Sequence, residues 1–143
     1  MDTKAILQKQ LESFNAHNAE AFVSAYTSDA TCYDPYYEQA LKGHKELLQD
    51  LSDFFNGFPD LKGKIVGNIL ISDNLAALEA EMSGTHTGYL PSPNGPIPPT
   101  KRKIHISMSR FVEFTKDGLI KKESRYYDIM SIMVQLGLMQ ENA

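Results

Sequence analysis

Ile104-His105-Ile106-Ser107-Met108-Ser109-Arg110-Phe111-Val112-Glu113-Phe114 is the stretch that decides the fold. Ile104, Ile106, Met108, Arg110, Val112 and Phe114 alternate against His105, Ser107, Ser109 and Glu113, the period of a strand with one buried face. Lys116-Asp117-Gly118 follows, and Asp-Gly after an alternating run is a strong hairpin signal, so a returning strand is expected from about Leu119 to Asp128. Upstream, Ala76, Leu78, Ala80, Met82, Gly84 and His86 alternate against Ala77, Glu79, Glu81, Ser83 and Thr85, a second half-buried strand. Ile65 to Ile71 carries another, with a turn at Ser72-Asp73-Asn74. Pro91, Pro93, Pro96, Pro98 and Pro99, with Gly95, forbid helix and ladder between Gly88 and Lys101, which leaves a loop placed to act as a pocket lid.

The N-terminal half is helical instead. From Thr3, the residues Ile6, Leu7, Leu11 and Phe14 form one stripe, while Lys4, Gln8, Lys9 and Glu12 take the wet side. His17-Asn18 interrupts it, and Asn18 can cap a second short helix carrying Phe22, Val23 and Tyr26. Thr31 to Asp34 is β-favouring and ends at Pro35, which predicts a short edge strand. Gly43 opens a third helix in which Leu47, Leu48, Leu51, Phe54 and Phe55 keep helical spacing until Gly57 and Pro59 stop it. Ile129, Ile132, Met133 and Leu136 predict a last turn or two of helix ending at Gly137. Helices followed by long strands give an α+β class, one domain over residues 1–143, with three N-terminal helices covering one face of a curved antiparallel sheet.

Composition narrows the function classes. A formal charge of -4, from 14 basic and 18 acidic residues, leaves no footprint for nucleic acid. The run Lys101-Arg102-Lys103 reads as a solvated strand entrance. Cys32 is the single cysteine, so no internal disulfide forms and a reducing compartment fits. Met1 to Gln10 has no continuous apolar run; a cytoplasmic protein with no membrane partner is expected. No zinc spacing, P-loop or dinucleotide fingerprint occurs, and the expectation is no cofactor and no metal.

Candidate chemistry concentrates at Ser124-Arg125-Tyr126-Tyr127-Asp128. Strict alternation puts Ser124, Tyr126 and Asp128 on one face and Glu123, Arg125 and Tyr127 on the other. If the first face looks into a pocket, desolvation brings Asp128 toward a useful acid or base; otherwise Asp128 N-caps the helix that begins at Ile129. His86 shares the inward face of Leu78 and Met82, as a satisfied core histidine or as a proton-transfer group. Arg110, inward among apolar neighbours, requires either an internal carboxylate such as Asp34 or an anionic substrate group. Tyr33, Phe54, Phe58 and Met108 are core residues first, and pocket lining for a small hydrophobic molecule if they converge with polar groups. His17, His44 and His105 lie in polar contexts and are expected at the surface.

Phe14-Asn15, Asp34-Pro35, Gly43, Phe58-Pro59-Asp60, Gly84-Thr85-His86-Thr87-Gly88, Gly118 to Ile120, and Tyr127-Asp128 with Gln135-Leu136-Gly137 occur in an order that resembles the SnoaL-like polyketide cyclases, the ester cyclase group. The resemblance implies the nuclear transport factor 2-like fold, a cystatin-like roll in which a bent sheet and three helices make a cone, commonly paired as a homodimer across the outer sheet face. It implies Asp128 as acid/base for an aldol closure without metal or organic cofactor, with His86 and Tyr126 as donors to the enolate oxygen. Where many relatives carry tryptophan three residues before that aspartate, this chain has Arg125, and it contains no Trp.

The leading expectation is therefore a cofactor-independent cyclase, or a related lyase or isomerase, abstracting a proton α to a carbonyl. A non-catalytic binder of a small hydrophobic metabolite is the second reading, since one fold hosts many functions. Epoxide hydrolysis or ketosteroid-type isomerisation is the third, with Asp34 or Tyr33 as the partner of Asp128; epoxide opening needs an arginine between two acids around one water, and on the central strands Glu79 and Glu81 fall on the polar face.

Overall fold

The structure, a computed structural model, describes residues 2–140; the extreme ends of the expected 1–143 span lie outside them. Asp2 caps helix α1 (Thr3–Asn15), accepting from the Ala5 amide at 3.1 Å. Asn18 caps the short α2 (Ala19–Val23) through the Ala21 amide in the same way. Strand β1 (Tyr26–Tyr33) comes next, then the two-residue β2 (Leu41–Lys42) and α3 (Gly43–Gly57). The second half contributes β3 (Lys62–Ser72), β4 (Leu75–Thr85), β5 (Lys103–Phe114), β6 (Ile120–Tyr126) and α4 (Ile129–Gln135). Gly43 and Gly118 take φ of +77° and +83°, which only glycine adopts without strain, at the mouth of α3 and in the β5–β6 hairpin.

The strands form a single curved sheet in the order β2-β1-β6-β5-β4-β3, open at both edges. The neighbouring pairs are antiparallel except β1 and β6, which run parallel. This departs from the all-antiparallel expectation, and it follows from connectivity: β1 enters from the helical corner and is laid beside the last strand. Two further expectations change. Tyr26 starts β1 instead of ending α2, and β1 lies between β2 and β6, so β1 is not an edge strand. The helices cover the concave face, with α1 against β3, α3 against β1 and α4 against β5.

The core sits between those layers. Every second residue of β5 from Ile104 to Phe114 is buried, Arg110 included, and Ala76 and Leu78 face it from β4. The opposite face leaves Leu70, Leu75 and Phe111 exposed. The β5–β6 ladder carries one irregularity: Glu113 pairs with Lys122 and Phe114 with Ile120, so Lys121 is an extra residue on β6. A bulge of this kind reverses which face later residues occupy. Ile120 points inward before it, and Glu123 and Arg125 point inward after it.

Candidate functional site

Because of the bulge, the inward residues of β6 and its extension are Glu123, Arg125 and Tyr127, the set that strict alternation from Ile120 would turn outward. Glu123 is 1% exposed and lies between two guanidinium groups, accepting from Arg110 Nε at 2.8 Å and Arg125 Nε at 2.9 Å. Arg110 Nη2 also donates to Glu123 at 3.0 Å and to Gln10 of α1 at 2.9 Å, and the Tyr26 hydroxyl donates to Glu123. Burial alone would raise the Glu123 carboxyl, but Arg110 and Arg125, with the Arg110 and Tyr26 hydrogen bonds, hold it well below the usual carboxylate range. The partner of Arg110 is thus Glu123; the expected Asp34 pairs with the neighbouring arginine instead.

Arg125 carries the arrangement outward. Its Nη1 donates to Asp34 Oδ2 at 3.1 Å and to Asp50 Oδ2 at 3.0 Å, joining a residue at the end of β1 to one in the middle of α3. Both carboxylates are buried. Pro35 stops β1 and the chain turns so that the Tyr36 amide reaches Asp34 Oδ1 at 2.9 Å. Tyr127 donates its hydroxyl to the same oxygen at 2.5 Å. Asp50 accepts from the Tyr37 hydroxyl at 2.5 Å. Burial, then the facing carboxylates, push the Tyr37 and Tyr127 phenols far above their ordinary value, so both remain O–H donors. Asp34 accepts three hydrogen bonds and Asp50 two. Burial raises the Asp50 carboxyl above the ordinary value; Arg125 opposes this and Asp34 reinforces it.

This polar group ends an otherwise apolar cavity of about 120 Å³, walled among others by Leu7, Phe54, Met82, Ile106 and Met108, with Asp34, Asp50, Arg110, Arg125 and Tyr127 as its polar members. A concave apolar site with a few convergent polar groups and a displaced carboxyl pKa is the form that ligand and active sites take.

The expected residues divide. Phe54, Met108 and Arg110 line the cavity. Phe58 is fully buried behind it, stacked on Phe54 with ring centroids 6.4 Å apart. Tyr33 and Tyr126 point outward, 51% and 53% exposed, and Tyr126 meets Phe111 edge-on at 5.9 Å on the convex face. Asp128 is exposed and accepts from the Ser131 amide at 3.0 Å, the N-cap of α4, so the base expected there is at a helix end outside the cavity. The bulge at Lys121 is the physical reason that Tyr126 and Asp128 are outside.

His86 is fully buried yet does not line the cavity; its Nδ1 accepts from the Thr100 amide at 3.2 Å and its ring lies 5.2 Å from Phe58. Burial lowers its pKa. The proline loop folds onto the protein through Leu90 and the Tyr36 hydroxyl bond to the Pro91 carbonyl, and none of its residues lines the cavity, so it is not a lid in this conformation. His44 and His105 are exposed as expected, whereas His17 is half-buried, stacked on Phe55 at 4.2 Å.

Asp50, Glu123, Arg125 and Tyr127 were not among the expected site residues, and Asp34 was expected only as a partner for Arg110 or Asp128. One signal was readable: Asp50 falls on the stripe of Leu47, Leu51 and Phe54, an acid where the helix must face the core.

No curated protein matches the chain in sequence. Solved structures do match in fold. AclR from Streptomyces galilaeus, a candidate hydroxylase, is 16% identical with a TM-score of 0.83, the match covering 99% of this chain and 85% of AclR. IdmH from Streptomyces antibioticus, a candidate polyketide cyclase, is 21% identical with a TM-score of 0.77, covering 96% and 99%. SalBIII, an epoxide hydrolase/cyclase-like enzyme with a role in pyran ring formation in the polyether salinomycin, is 15% identical with a TM-score of 0.72, covering 90% and 92%. The fold is the ketosteroid isomerase-like, nuclear transport factor 2-like one. The SnoaL-like domain matches residues 7–123, most of the chain, and the chain belongs to the SnoaL-like domain family.

Proposed function

We propose that this protein is an acid–base enzyme that opens or closes an oxygen-containing ring on a small apolar substrate, with Asp34 and Asp50 as the proton-transfer pair. The observation that carries the reading is the bridge from Arg125 Nη1 to both carboxylates, at 3.1 and 3.0 Å, in the wall of an apolar cavity. Asp34, held by three donors, takes the proton from the attacking water or substrate hydroxyl as the new C–O bond forms. Asp50, whose acid form burial favours, gives its proton to the ring oxygen as the old C–O bond breaks. Turnover leaves one proton on Asp34 and takes one from Asp50, and a return transfer between groups sharing one guanidinium resets the pair. Tyr37 and Tyr127 fix the two carboxylates in place.

The fold shared with SalBIII supports ring chemistry at an oxygen centre. The fold shared with IdmH supports a second reading, in which Asp34 removes a proton α to a carbonyl and Asp50 protonates the enolate oxygen. The two are separated by the product: the second incorporates solvent deuterium at carbon.

The test uses cyclohexene oxide as probe. Asp50→Asn and Asp34→Asn are each expected to lower kcat by roughly 10²–10⁴, the contribution of a placed acid or base, with binding retained. Turnover unchanged in both variants sinks the assignment.

A further inference from the structure

The cavity that holds the carboxylate pair also limits what can enter it, and two independent features, space and charge, point the same way. The space is about 120 Å³ among leucine, isoleucine, phenylalanine and methionine side chains. An apolar protein cavity of roughly 150 Å³ holds one benzene-sized ring. Close-packed walls do not stretch to take three fused rings without side chains leaving their rotamers.

Charge is the second feature. Two guanidinium groups, Arg110 and Arg125, face three carboxyls, Glu123, Asp34 and Asp50, in one connected network. Two positive charges meet two negative ones when Asp50 is protonated and three when it is ionised, so in neither state does the network carry a spare positive charge. An entering carboxylate would be one more anion in a largely apolar site whose guanidiniums are already matched by carboxyls, a costly kind of burial. A neutral oxygen meets no such penalty. Among the described residues no hydrogen-bond partner is found for Arg110 Nη1 or Arg125 Nη2, and both arginines line the cavity. A neutral acceptor oxygen on the ligand satisfies such groups.

We infer that the site accepts an uncharged, oxygen-bearing molecule whose buried part is a single six-membered ring or a branched chain of that size, and refuses both carboxylates and multi-ring aromatics. The inference rests on the same site as the proposed function and names its substrate class.

The test is a titration of the intact protein at pH 7 by methyl NMR, following Leu78, Met82, Ile104 and Met108. Cyclohexanecarboxamide and cyclohexanecarboxylate share shape and differ in charge. The amide is expected to shift the cavity methyls and to bind at least about tenfold tighter than the carboxylate, because only the anion is buried uncompensated. Anthrone, a neutral three-ring ketone, is expected to leave those methyls unmoved. Equal or tighter binding of the carboxylate, anthrone entry into the cavity, or no shift with millimolar amide each overturns the inference. Turnover of cyclohexene oxide is read separately. The expected binding pattern without Asp34- and Asp50-dependent turnover removes the catalytic reading and leaves this one. Turnover with anthrone or carboxylate bound in the cavity does the reverse.

Discussion

Strands β5 and β6 lie side by side, and their inward faces are built from opposite materials. Along β5 the buried side is apolar from Ile104 to Phe114 with Arg110 as the lone charge; along β6, beyond Ile120 and the bulge, it is Glu123 and Arg125, while the aromatic Tyr126 looks outward. A strand that buries hydrocarbon announces its inward face, since the hydrophobic effect sorts its residues. A strand that buries ions hides it, because each charge is tolerated only through partners supplied by distant segments: Gln10, Tyr26, Asp34 and Asp50 for these two arginines. One strand mostly stabilises, and the other holds chemistry in place.

That contrast can be broken most forcefully at Glu123. Glu123→Gln keeps the shape but leaves two buried guanidiniums short of a counter-charge, and about 3–5 kcal/mol of stability is expected to go. On a domain stable by roughly 5–15 kcal/mol this is a large fraction, measurable as a lower urea midpoint at unchanged m-value. A loss below about 1 kcal/mol, the level of an exposed pair, would mean that the network is not dry.

The next effect is one of pH. The folded-state pKa of Asp50 lies above its ordinary 3.8, so the folded protein keeps a proton that the unfolded chain has released. Its contribution to stability is full below about pH 3.8 and is lost as pH rises through the higher folded value. Asp50→Asn cannot titrate. The stability of the wild type relative to this variant is therefore expected to fall as pH rises from about 4, by at most one proton's slope, in urea melts taken at several pH values. A flat difference contradicts the raised value.

The smallest effect belongs to the outward face. Asp128→Ala removes the α4 cap and is expected to cost about 0.5–2 kcal/mol while kcat on cyclohexene oxide stays the same. A large drop in kcat returns Asp128 to the chemistry and reverses the assignment of faces.

The fold was legible wherever apolar periodicity ruled: β4, β5, the α1 and α3 stripes, the caps at Asn18 and the Asp117-Gly118 turn all lie where the pattern puts them. The parallel pairing of β1 with β6 was not, because Thr31 to Asp34 carries no mark of which neighbour it will take. Of the site, Phe54, Met108 and Arg110 were legible as inward residues near a polar group. Arg125 and Tyr127 were not, since the single extra residue at Lys121 reverses parity and leaves no compositional trace. Asp34 and Asp50 were obscured differently. An acid beside a proline reads as a turn, and an acid on a helix stripe is overlooked when its arginine partner lies 75 residues away in sequence.

Gly88 has a mechanical meaning for this arrangement. A β-carbon there would stand 1.9 Å from the Asn56 carbonyl oxygen, and the amides of Thr87 and Gly88 close on the Gly57 carbonyl at 3.2 and 3.1 Å. The crossover from β4 to β5 thus clasps the trailing end of α3, while Tyr37 and Arg125 hold its middle at Asp50. The helix is tethered at two points along its axis, so sliding it would drag Asp50 off its guanidinium. A bare backbone at residue 88 therefore helps set the spacing of two acids that it never touches.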